Sequence, residues 1–407
     1  MNVELQINNS TSTRARFVSW VPSPCRIRIT NPSGAASSHN MNIKLSSVSA
    51  ASGGEVVFRK GTTGAFASTI TLSVPINGTS VPFFVAGRFG RPSANNGDVK
   101  IEARLGNALV GSIKLMVRVR KNANNLTTGE RDRLVAAFAQ LNNQGAGRFA
   151  DFRDMHTNVS SPQAHGAPGF LPWHRAYLID LERELQNIDP SVALPYWRFD
   201  QASPNIFTLD FFGVSNTLGT VQFSPTNPLQ FWRTDGVPGI NRRPFFATNT
   251  APPGLRTEAQ TLALGNAYPA FRTMEGNPHG SAHVSFGGYI SSIPTAARDP
   301  LFFLLHCNVD RLWAKWQRQF SRFDPAVAAS FDGAANPIGH NLPDTMWPWN
   351  GITTPPRPPT APGGALASSP CVSAPGPQPR VRDSLDYQGV INSVSSMGFD
   401  YDDVPFA

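Results

Sequence analysis

DPLFFLLHCNVDRLWAKWQ (Asp299 to Gln317) is the stretch that decides how this chain is read. Its apolar residues recur at helical spacing, and His306 sits inside the apolar run. An imidazole set among Leu and Phe needs a partner for its polar atoms. Just upstream, NPHGSAHVSF places His279 and His283 four residues apart, which puts both on one helix face, close enough to share an ion. Further back, RFADFRDMHTNV, SPQAHGAPG and FLPWHRAYL carry His156, His165 and His174, with eight residues in each gap. Phe149, Phe152 and His156 share a helical face, so this imidazole is expected to point inward. His165 falls in a loop. Pro172 suits the beginning of the helix that His174 is expected to open. A helix, a loop and a helix start then converge three nitrogens on one point.

Six of the eight histidines thus form two triplets. The remaining two, His39 in SSHNMN and His340 in PIGHN, lie in polar segments and are expected on the surface. Neither triplet includes a cysteine or carboxylate, which argues against structural zinc and carboxylate-bridged di-iron sites. Imidazole-only ligation suits copper. Four ligand-bearing helices around a pair of metals make a site in the core of a helical bundle.

The chain has 407 residues, room for two or three domains. Three cysteines, Cys25, Cys307 and Cys371, are too few for a disulfide framework. The start, MNVELQINNS, has no basic stretch leading into an apolar one, so the expected setting is the cytoplasm, with export beside a signal-bearing partner left open. No apolar run reaches membrane-spanning length, and no membrane partner is expected. The formal charge is +8, but Lys and Arg are scattered, with VRVRK (Val117 to Lys121) the longest basic run. An ordinary solvated surface is expected, and no nucleic-acid partner. Whether the chain forms homo-oligomers is left open.

Residues 1–122 read as a β domain. VELQI, RIRIT, STITLSV and SIKLMVRVR alternate apolar and polar residues, and turn-rich pieces such as NPSGAASSHN and RPSANNGD separate them. An immunoglobulin-like β-sandwich of unknown role is expected, although the Cys…Trp…Cys signature is absent. The pattern turns helical at LTTGERDRLVAAFAQLNNQ, with Thr127 or Thr128 as N-cap. Residues 123–345 are expected to form a mainly α-helical dicopper core. Residues 346–380 read as a Pro-rich tether on the surface, and 381–407 as a segment docking back on that core. The fold class is multidomain α+β.

FLPWHRAYL, PYWRFD and DPLFFLLHCNVDRLW, with both triplets in order, resemble the tyrosinase family of type-3 copper proteins over about residues 123 to 401. The resemblance implies two copper ions with O2 as cosubstrate. His156, His165 and His174 would hold the first ion, and His279, His283 and His306 the second. It implies oxidation of small phenolic substrates: o-diphenols to o-quinones, with monophenol hydroxylation also within the family. Glu275 would hold a water that takes the phenol proton. Phe302 would sit over the second copper and pack against substrate. Asp310 would orient a ligand ring or anchor Arg175. Phe399-Asp400-Tyr401 resembles the aromatic-x-Tyr motif that closes the family's core.

The chain also departs from the family's pattern. Gln163 stands where many fungal and plant relatives carry a cysteine linked to the second histidine, so no thioether is expected. Gly280 follows His279, where efficient monophenol hydroxylases often carry Asn, and Val284 follows His283. Diphenol oxidation is therefore the expected activity. The alternatives are an o-aminophenol oxidase of a biosynthetic pathway, an O2 carrier like the haemocyanins, and a β binding module fused to a degenerate enzyme. In relatives an aromatic from an extra domain can plug the copper site, a role for which Trp20, Phe66 and Phe89 are the candidates.

Overall fold

The computed structural model describes residues 2–30, 39–332 and 338–407, so most of the NPSGAASSHN turn lies outside the described residues. The chain divides into two compact units. One comprises Met1–Val119, Ser369–Ser373 and Ser396–Phe406, the other Arg120–Ser368, Ala374–Ser395 and Ala407.

The first unit carries strands β1 Val3–Ile7, β2 Phe17–Val18, β3 Ser23–Ile29, β4 Asn40–Ser49, β5 Val56–Arg59, β6 Thr69–Pro75, β7 Val81–Gly87, β8 Val99–Leu105 and β9 Ala108–Val117. They form a four-stranded sheet ordered β1-β3-β7-β5 and a five-stranded sheet ordered β2-β9-β8-β4-β6. Alternation decides which face is buried. In β3, Cys25, Ile27 and Ile29 are buried while Pro24, Arg26 and Arg28 are exposed. Ile27, Phe58, Phe83 and Val85 of one sheet share a single apolar core with Ile43, Leu45, Ile101 and Leu115 of the other. Gly87 ends β7 where a Cβ would meet Val117 Cγ1 at 2.5 Å, so only a glycine fits there.

Trp20 is buried in this unit, and its two N–H groups require acceptors. Its backbone N donates to Asp400 Oδ2 at 2.9 Å, and its Nε1 donates to Tyr401 O at 2.8 Å. These bonds are why 396–406 group with the β unit rather than with the helical core, where the sequence places them. They also make Trp20 a structural residue and not a free loop aromatic. Phe89 packs edge-on to Trp20 at 5.6 Å, and Arg59 lies 4.8 Å over the Phe66 ring.

The second unit carries helices α1 Thr128–Asn142, α2 Phe149–Met155, α3 Ser161–Ala164, α4 Phe170–Ile188, α5 Glu258–Leu262, α6 Tyr268–Arg272, α7 Ser281–Val284, α8 Ile293–Ala296 and α9 Leu301–Phe320. Thr127 caps α1, its side chain accepting from Glu130 N while the Glu130 carboxylate returns to Thr127 N. Helix α4 begins at Phe170, earlier than expected, with Pro172 in its first turn, where the N–H groups have no intrahelical partner anyway. His174 therefore sits inside the helix instead of opening it.

Buried charges join α4 to α9. Arg175 Nε donates to Asp310 Oδ1 at 2.6 Å, and its guanidinium stacks 3.8 Å over the Trp313 ring. Arg120 reaches the other Asp310 oxygen at 3.2 Å and binds Glu182 at 2.8 Å. The start of α9 is fixed by Asp299, whose carboxylate accepts from Leu301 N and pairs with both Nε and Nη2 of Arg242.

The Pro-rich segment runs over the surface for most of its length, as expected, but it is anchored at points rather than loose. Trp347, Trp349 and Leu366 are buried. Trp349 Nε1 donates to Asp180, Trp173 Nε1 donates to Trp347 O, and Arg183 donates to Ala367 O and Ala374 O. Aromatic burial and these bonds to α4 outweigh the low-complexity composition. Among the described residues, no helix is long and apolar enough to cross a membrane.

Candidate metal centre

The first triplet is assembled from three segments. His156 follows the last residue of α2, His165 follows α3, and His174 lies in α4. In the second triplet, His279 lies in a wide turn, Gly276–Gly280, that departs from helical geometry at Asn277. His283 lies in α7 and His306 in α9. That departure precedes His279; Gly280 and Ser281 are helical, so His279 and His283 stand four apart on helical backbone, as their spacing implies. Within each triplet one ligand nitrogen per residue comes within 4.8 Å of the others. His156 Nε2 and His165 Nε2 approach to 2.9 Å, and His283 Nε2 and His306 Nε2 to 3.1 Å. The triplets adjoin each other: the His174 and His306 rings stack at 4.2 Å.

The other ring nitrogens fix the tautomers. His156 Nδ1 faces Ile293 O at 3.0 Å, His174 Nδ1 faces Phe170 O at 2.9 Å, His279 Nδ1 faces Glu275 O at 2.7 Å, and His283 Nδ1 faces Ile290 O at 2.7 Å. A carbonyl can only accept, so each of these nitrogens carries the proton and leaves an Nε2 lone pair for a metal. Burial, then the neighbouring imidazoles, hold His156, His174, His279 and His306 well below the ordinary imidazole range. Burial brings His283 down to about 4. Neutral rings with convergent lone pairs are what a metal needs, and His174 Nε2 is buried without a hydrogen-bond partner in the protein. The residues therefore fit two ions.

Glu275 touches both ligand sets. Its carbonyl accepts from His279, while its carboxylate lies 3.3 Å from His165 Nδ1 and accepts from Gly166 N at 2.7 Å. Phe302 is fully buried, stacked 4.2 Å on His306 and 4.7 Å from His156. It stands behind the ligands and is not part of the cavity lining. Asp310 pairs with Arg175 and Arg120, as described above. Gln163 turns its Oε1 to Arg357 Nη1 at 2.9 Å, and Cys307 donates to Leu194 O.

His340 is not a surface residue. It is buried, accepting at Nδ1 from Gly169 N at 3.0 Å and donating from Nε2 to Pro162 O at 2.8 Å. These bonds span the loop that carries His165. His39 is exposed, as its polar surroundings imply.

A cavity of about 240 Å³ opens over the two triplets. It is lined by His156, His165, Glu275, His279, Gly280, His283, Val284 and the run Ile290–Ile293 with Ala296. Sequence reasoning found Glu275, Gly280 and Val284 but missed the wall from Ile290 to Ala296. The only trace of that wall in the sequence is the pair of Ile residues in YISSIP.

Two ions, each held by three imidazoles and adjoining one another, define a type-3 copper centre. A family model described as the common central domain of tyrosinase matches residues 146–319. The chain is 34% identical to a tyrosinase of Streptomyces glaucescens over 264 residues, covering 57% of this chain and 92% of that protein. It is 30% identical to a grixazone synthase of Streptomyces griseus over 263 residues, 50% of this chain and 85% of that protein. Among solved structures, deoxygenated haemocyanin from Rapana thomasiana aligns at 22% identity with a TM-score of 0.49, covering 70% of each chain. The chain belongs to the tyrosinase family. It is a copper-dependent, O2-using oxidoreductase of the polyphenol oxidase type.

Proposed function

We propose that this chain oxidises o-diphenols to o-quinones. In the balanced turnover two catechols and one O2 give two o-quinones and two waters. The observation that carries this reading is a cavity walled on one side by two ligands of each triplet, His156 and His165 with His279 and His283, and on the other by Val284, Ile290, Ile293 and Ala296. When bound, a pair of copper ions supplies O2 binding and two-electron redox chemistry.

The rest falls to the chain's own residues. The carbonyls opposite Nδ1 of His156, His174, His279 and His283 hold those four rings in one tautomer and one orientation. The apolar wall receives the catechol ring and keeps bulk water from the ligands. Glu275 is the proton acceptor at the cavity floor, able to take a phenol proton directly or through a water. Gly280 offers no side chain to position such a water, and a Cβ there would meet only Glu275 O at 3.3 Å. This favours diphenols, which ionise more readily, over monophenol hydroxylation. The β unit is assigned to the immunoglobulin-like type on its two packed sheets of short strands.

Metal analysis should find two coppers per chain, and the loaded protein should convert 4-tert-butylcatechol to its quinone with steady O2 uptake. Binding of O2 without sustained quinone formation would instead make it an oxygen carrier. Iron or zinc with no turnover would end the proposal.

A further inference from the structure

The geometry points to a cavity that selects catechols by the charge of their tail, accepting neutral and cationic tails and rejecting those that end in a carboxylate. The inference rests on the proposed phenol oxidase reading. Among the described residues no lysine or arginine lines the cavity, and its only acidic side chain is Glu275. The catechol oxygens must face the imidazoles. The tail of a 4-substituted catechol must then run outward past Val284, 61% exposed, and Ile293, 38% exposed.

A carboxylate placed there loses water against an apolar wall and gains no cationic side chain. It also lies in the field of the Glu275 carboxylate, in a confined space of low dielectric. The hydroxyl of Ser291 is turned to Gly288 O at 2.8 Å, so it is already engaged. An ammonium tail meets the same wall but is attracted by Glu275.

Three catechols that differ only at the tail test this: 4-ethylcatechol, dopamine and 3-(3,4-dihydroxyphenyl)propanoate. On the copper-loaded protein, kcat/KM for the propanoate should fall at least about tenfold below 4-ethylcatechol, a difference of about 1.4 kcal/mol. Dopamine should match or exceed 4-ethylcatechol. The gap should narrow at high ionic strength, which a purely steric preference would not do.

Calorimetric binding of the redox-inert 4-ethylresorcinol and 3-(2,4-dihydroxyphenyl)propanoate should give the same order and separates affinity from turnover. Ser292 lines the cavity, is exposed, precedes α8 and makes no side-chain cap bond, so Ser292→Arg removes no capping interaction. That variant should raise kcat/KM for the propanoate relative to 4-ethylcatechol several-fold.

Equal use of the propanoate, a dopamine defect as large as the propanoate's, or no response to Ser292→Arg would overturn charge selection. Failure to turn over 4-ethylcatechol at all would instead strike the oxidase reading, and the resorcinol binding order would still decide the selection.

Discussion

His340 holds both ends of the loop that presents His165, donating to Pro162 O and accepting from Gly169 N. Replacing it with Ala leaves those backbone groups unsatisfied and frees the loop. The expected result is a loss of about 2 kcal/mol in urea unfolding and copper that dissociates faster from the first triplet, read by chelator competition. Glu275 acts on both triplets, so Glu275→Gln should lower kcat/KM on catechols by roughly ten- to a hundred-fold while the fold is retained. Equal activity would show that neither its contact with His165 nor its role as acceptor matters. Asp180 gives a pH dependence remote from the site. Burial pushes its carboxyl up to about 6 from an ordinary 3.8, although Ala367 N and Trp349 Nε1 both donate to it. The folded state holds this proton to higher pH than the unfolded chain does. The group's contribution is therefore most favourable below about pH 4 and is lost as pH rises through about 6. Asp180→Asn should flatten the unfolding free energy across that window by on the order of 2 kcal/mol, measured by urea titration at stepped pH.

At the scale of elements, the Arg175–Asp310 pair ties α4 to α9, next to His174 and one turn from His306. Asp310→Asn leaves Arg175 and Arg120 in a buried site with one formal charge fewer to meet them. It should cost about 3 kcal/mol and loosen both ligand helices, seen as a lower denaturation midpoint and substoichiometric copper. In the β unit the exposed face of the five-stranded sheet sets Lys44 opposite Arg104 and Lys100 opposite Lys114. Like charges directly across strands are unfavourable, so Lys114→Glu should raise that unit's stability by about 0.5 kcal/mol. What was legible in the sequence at this scale was whatever rests on local pattern. The alternation in RIRIT gave β3, the TTGE cap gave α1, and the apolar run around His306 gave α9. What was not legible depends on partners distant in sequence. PIGHN is polar, and only Gly169 and Pro162 bury its histidine. The anchoring of the surface tether was not legible, because composition does not show Trp347 and Trp349 finding α4.

For the molecule as a whole, the division of the chain matters more than the number of its parts. The first unit is built from three separate stretches of sequence, and the bonds from Trp20 to Asp400 and Tyr401 join the earliest stretch to the last. Cutting the chain after residue 395 strips the buried Trp20 of both acceptors, and such a protein should show a lower melting transition for its β unit. A shortened chain that melts like the full one would mean those contacts contribute nothing. The same closure bears on how the protein is made. A ribosome delivers the nine strands first, and nascent domains usually set as they emerge. Here the β unit must wait, its tryptophan unsealed, until the ribosome has translated the whole copper-binding region and residues 396–406 have left the exit tunnel.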